Sequence, residues 1–177
     1  MINKETEKLI CKKAVDSFGE ISQMIKATEE MGELIRVISR VILQQGESDV
    51  QIESNYNEEI ADVAIMLEQL KYTRHYKQEL VDFWKEEKLI CKKAVDSYGE
   101  ISQMIKATEE MGELIRAISR VILQQGESDV QIESNYNEEI ADVTIMLEQL
   151  KYTRHYKQEL VDFWKEEKLK RLERNVW

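Results

Sequence analysis

The chain has 177 residues, no proline, six glycines and 34% charged residues, and its apolar residues recur at helical rather than alternating spacing, the profile of an all-α protein. A formal charge of −10 argues against nucleic acid or an anionic membrane surface as the main partner, because binding either takes Lys and Arg to neutralise phosphates. A small nucleotide stays open, since a metal can carry its charge.

The opening MINKETEKL lacks the apolar core of a signal peptide, and no stretch approaches the roughly 20 apolar residues of a membrane span, so the expected compartment is the cytoplasm. The first expected helix covers 4–18 and ends near Gly19. A second runs over 20–45, with Ile21, Met24, Ile25, Thr28, Met31, Ile35, Ile38 and Ile42 on one stripe and Ala27, Leu34 and Val41 on another. Gly46 is a natural stop, and 46–54 reads as the one obvious loop. Asn55, with Glu58 three residues on, reads as a capping-box variant opening a third helix that buries Ile60, Val63, Leu67 and Leu70. A last amphipathic segment carries Tyr76, Leu80, Phe83 and Trp84. Cys11 and Cys91 are single thiols without the spacing of a zinc site or disulfide framework, and read as small buried hydrophobes.

Aligned on itself at an offset of 80, the chain pairs 7–86 with 87–166, and three positions differ: Phe18/Tyr98, Val37/Ala117 and Ala64/Thr144. Two copies of so long a unit point to a dimer fused into one chain rather than a solenoid. The expected fold is therefore a helical bundle of two near-identical fused units, pseudo-dimeric or domain-swapped, with units over 1–86 and 87–177. An 80-residue bundle has a marginal core, so the units are expected to associate, within a chain or between chains. No Pro or Gly lies between Tyr76 and Tyr98, so the junction reads as one continuous helix, which favours pairing between chains; a break near Gly99 favours pairing within one.

The acidic residues carry the chemistry. On a helix, residues three and four apart are neighbours, so Glu30 and Glu33 share a face with Glu29 beside them, and Glu59 and Asp62 repeat the pattern on the third helix. A solvated charged face is one reading. Against it, the second helix is apolar on more than one side, which turns some of these carboxylates between helices. Four carboxylates within about 6 Å repel by about 3 kcal/mol per pair at an effective dielectric near 20. Six such pairs rival the whole stability of a small domain. Protonation, separation into water or a divalent cation must offset that, and an all-oxygen set suits Mg²⁺ or Mn²⁺ rather than zinc. A di-iron bundle needs Glu-x-x-His on two helices, and neither His75 nor His155 has a Glu three residues before it.

EEMGEL (29–34) followed by NEEIADV (57–63) resembles the MazG-like all-α nucleoside triphosphate pyrophosphohydrolases, whose pattern is Glu-x-x-Glu, a spacer, then Glu-x-x-Asp. Glu30, Glu33, Glu59 and Asp62 match it with 25 residues between the two halves, and Glu110, Glu113, Glu139 and Asp142 match it in the second unit. Gln23 and Lys26, the LEQLK after the Asp and the EEKLKRLERN ending are also similar to small members. The resemblance implies that the four acids of each unit hold Mg²⁺ against a triphosphate and that water attacks the α-phosphorus, releasing a nucleoside monophosphate and pyrophosphate. It further offers Glu29 and Glu109 to bind a second metal or accept the water's proton, although a solvent-facing glutamate suits these positions equally. Gln23, Lys26, Gln103, Lys106, Lys168 and Arg171 would contact the substrate. In the first unit the positions of Lys168 and Arg171 are held by Lys88 and Cys91.

The base is not legible at this stage: Gln23 and Asn57 are candidates for reading its edge and Phe18 or Tyr98 for stacking on it, but each equally suits a cap or a core position. The alternative to an enzyme is a non-catalytic helical assembly or scaffold module that retains the fold.

Overall fold

Helix α1 (Lys4–Phe18) opens at Asn3, whose side-chain oxygen accepts the Thr6 N–H at 2.9 Å, and closes at Gly19, whose N–H returns to the Val15 carbonyl at 2.9 Å. Gly19 has φ +86 and ψ 148, a backbone region that side chains exclude, and it lets the chain turn straight into α2 (Glu20–Leu43). The order continues with α3 (Asp49–Leu70), α4 (Gln78–Lys88), α5 (Cys91–Tyr98), α6 (Glu100–Leu123), α7 (Asp129–Leu150) and α8 (Gln158–Val176). This computed structural model describes residues 2–43, 49–88, 91–123 and 129–177, and among them there is no strand. The protein is all-α. No described helix is long and apolar enough to cross a membrane.

Three expectations need correction. The buried face of α2 is Met24, Ala27, Met31, Leu34, Val37, Ile38 and Val41, whereas Ile21 and Ile25 are exposed. Packing against both α3 and α6 selects the seam between the two apolar stripes. The third helix begins at Asp49, not Asn55: Ile52 and Tyr56, four apart and buried, carry its core face back into the expected loop. Asn55 is thus interior, accepting from Gln51 Nε2 at 2.7 Å; Gly46 lies outside the described residues. Finally, Tyr76 lies before the start of α4 rather than on it; the continuous junction helix expected between Tyr76 and Tyr98 runs through 89–90, which lie outside the described residues.

Within each sequence unit the long helices pack as pairs, α2 on α3 and α6 on α7. Across the units, α2 lies on α6 and α3 on α7. The tail helices cross over: α4 packs on α7, and α8 packs on α3 and α1. Buried asparagines hold the crossovers. Asn57 donates from Nδ2 to the His155 carbonyl at 2.9 Å and accepts the Lys157 N–H at 2.7 Å; Asn137 does the same with His75 at 2.9 Å and Lys77 at 2.6 Å. Beside them the hydroxyls of Tyr56 and Thr153 lie 3.0 Å apart, and those of Thr73 and Tyr136 3.1 Å apart. Asn57 is fully buried by this duty, which removes it from base reading.

Candidate functional site

Two helices of each unit bring the predicted carboxylates together. Glu30 and Glu33 project from α2 and Glu59 from α3, and one oxygen of each lies within 4.8 Å of the other two; Glu110, Glu113 and Glu139 repeat the cluster on α6 and α7. At that spacing three like charges repel by about 3 kcal/mol per pair at an effective dielectric near 20. The protein answers in two ways. Lys26 reaches Glu30 at 2.8 Å, and Arg36 stands 3.7 Å from Glu33. Burial, reinforced by Asp62 and Glu33, pushes the Glu59 carboxyl up to about 7, and burial with Glu113 and Asp142 does the same to Glu139. Glu59 Oε2 and Glu139 Oε2 are buried without a hydrogen-bond partner among the described residues.

Asp62 sits outside the three-glutamate cluster and faces α8. Its carboxylate is hydrogen-bonded to Lys168 Nζ, which also reaches Glu58 at 3.2 Å. Burial raises the Asp62 carboxyl to about 6 against the opposing pull of Lys168. Burial also lowers the Lys168 ammonium, but its bonds to Asp62 and Glu58 outweigh that and leave it raised. Asp142, its counterpart in the second unit, is partly buried, and likewise does not complete the cluster of Glu110, Glu113 and Glu139.

Glu29 and Glu109 are exposed and are not members of the clusters; each is paired with the lysine three residues before it, Lys26 at 3.1 Å and Lys106 at 3.2 Å. The same lysines bridge to the cluster, since Lys106 approaches Glu110 at 2.7 Å. The hydrogen bond to Glu110 is the main cause holding Lys106 up at about 12, and that to Glu30 raises Lys26 likewise.

The substrate-binding candidates of the first unit converge. A cleft of about 320 Å³, within the size range of small-ligand sites, is lined by Gln23, Lys26, Asp62, Lys168 and Arg171, with Phe18 beside them. Two positively charged side chains of α8 thus line a cleft of the first sequence unit, Lys168 reaching Asp62 and Glu58 directly, because α8 packs across onto α3. Gln103, like Gln23, is buried. The side chains of Lys88 and Cys91, which stand where the second unit has Lys168 and Arg171, lie outside the described residues.

Ile65, Met66, Gln69, Leu172 and Asn175 also line the cleft; none is assigned a role from the sequence, although Gln69, Leu172 and Asn175 lie in the LEQLK and EEKLKRLERN segments. A signal for Gln69 was present: on α3 it is seven residues from Asp62 and so on the same face. No protein-family model, curated protein or solved structure matches this chain.

Proposed function

We propose that the protein is a Mg²⁺-dependent nucleotide pyrophosphohydrolase, cleaving a nucleoside triphosphate to the monophosphate and pyrophosphate, of the MazG-like kind that its acidic motifs resemble. In this reading the two sequence units form a fused dimer with exchanged tail helices. One observation carries it: three glutamates converge within 4.8 Å beside a cleft lined by Lys26, Lys168 and Arg171. The donor set is all carboxylate oxygen, and Glu59 Oε2 is buried without a partner, which fits a hard cation such as Mg²⁺ or Mn²⁺. Glu30, Glu33 and Glu59 would hold it, as would Glu110, Glu113 and Glu139 in the second cluster. When bound, such an ion neutralises phosphate charge and makes water a better nucleophile. Lys26, Lys168 and Arg171 would bind and orient the phosphates, with Lys168 exchanging its bond to Asp62 for one to phosphate. In this reading Glu29, which is exposed and paired with Lys26, would have to leave that lysine to take the proton of the attacking water.

The test is pyrophosphate release from a panel of nucleoside triphosphates with Mg²⁺. Turnover that disappears on adding a chelator is expected, and silence across the panel would sink the assignment. A non-catalytic helical module is favoured by one feature, that Asp62 already has a cationic partner in Lys168. It requires Mg²⁺ to leave the melting temperature unmoved, whereas a cation that binds the folded state raises it.

A further inference from the structure

Gln69 is 1% exposed, its two amide atoms are both buried, and neither has a hydrogen-bond partner within the described protein. It nevertheless lines the same cleft as Lys26, Asp62, Lys168 and Arg171. A buried amide left unpaired destabilises the fold, so a position that keeps one is suited to a ligand that completes it. On α3 it follows Asp62 by two helical turns, about 10 Å along the axis, which leaves room for a sugar between phosphates at Lys168 and a base at Gln69. The side-chain amide carries an acceptor and donors side by side, the complement of a base edge that offers a donor next to an acceptor. The exposed ring of Phe18, on the same cleft, gives such a base a flat apolar neighbour.

We propose that Gln69 is the specificity residue of this cleft and reads a nucleobase through a paired donor–acceptor edge; this rests on the nucleotide reading above. Gln149, the equivalent in the second unit, has only Oε1 both buried and unpartnered, and the tail positions beside it are Lys88 and Cys91 rather than Lys168 and Arg171.

The experiment uses the full chain with Mg²⁺ and measures pyrophosphate release from triphosphates of different bases and from inorganic tripolyphosphate, which has no base. Q69L is expected to raise KM for the preferred nucleotide by about tenfold or more, with kcat little changed, and to flatten the preference among bases. Tripolyphosphate turnover and the melting temperature should not fall, and Q149L should keep the wild-type preference. If Q69L fails to fold, Q69M, closer in shape, carries the same comparison. Activity with an unaltered base preference in the folded variant overturns the role of Gln69 alone. Silence of the wild type on every nucleotide overturns the nucleotide reading and this inference with it.

Discussion

Asn57 shows how a residue's duty is hidden when its partners are distant in the chain. Its amide saturates the His155 carbonyl and the Lys157 N–H, about a hundred residues away, so nothing near position 57 in the sequence announces them. Replacing it by Ala removes both bonds at a fully buried position. Asn57→Ala should therefore cost about 2–4 kcal/mol. The melting temperature should fall on the order of 10 °C, read by thermal unfolding. Glu59 makes a prediction of the opposite kind. Its carboxyl is raised from 4.5 to about 7, so the folded protein holds a proton that the unfolded chain releases. Stability from this group is present below pH 4.5 and is lost as pH rises through about 7. Without metal, Glu59→Gln should gain on wild type across that window and match it at the acidic end. If the cluster binds Mg²⁺ as proposed, the stabilisation by Mg²⁺ should grow over the same range, because a cation binds the ionised form. A metal-free difference between variant and wild type that is flat from pH 4.5 to 8 would contradict the clustered geometry.

At the scale of elements, helical periodicity reached α1 and its closing glycine but not the face that α2 buries or the start of α3. Gly19 was legible because a single residue sets the turn, and Gly99 repeats it at φ +83. A side chain at Gly19 would meet no neighbouring atom, so the cost of Gly19→Ala is confined to the backbone. It should destabilise by about 1–3 kcal/mol in denaturant titration, with Gly99→Ala close to it. The choice between stripes on α2 could not be made from its own residues. It is made by α6, a helix of the other sequence unit, which together with α3 takes up Met24, Met31 and Leu34 and leaves Ile21 and Ile25 outside. The beginning of α3 was obscured for a related reason: GESDVQIES carries turn-forming residues, but Ile52 has a core to enter and tertiary burial overrides local propensity.

At the scale of the whole molecule, a near-perfect sequence repeat is folded into two acidic clusters that meet different tail helices. The acidic motifs are identical in the two units, and that much was visible in the sequence. What the spacing did not reveal is that tail helices are exchanged, so that the KLKRLERN ending, present once, serves the acids of the other unit through α8 on α3. Lys168 and Arg171 therefore line the cleft that holds Asp62 and Lys26 of the first unit, Lys26 in turn pairing with Glu30, while the cluster of Glu110, Glu113 and Glu139 lies on the helices that meet α4 and α5. Under the proposed activity, two equal sites would each lose half of the turnover when a cluster glutamate is neutralised. The exchanged tail predicts inequality instead: Glu33→Gln should reduce kcat/KM by about tenfold or more, and Glu113→Gln should leave most of it. Lys168→Met should resemble Glu33→Gln in activity, and it should do so even in a chain already carrying Glu113→Gln, because both act on one site. Equal, roughly twofold losses from Glu33→Gln and Glu113→Gln would show that the tail contributes nothing to turnover, and that the two clusters work independently of the helix that distinguishes them.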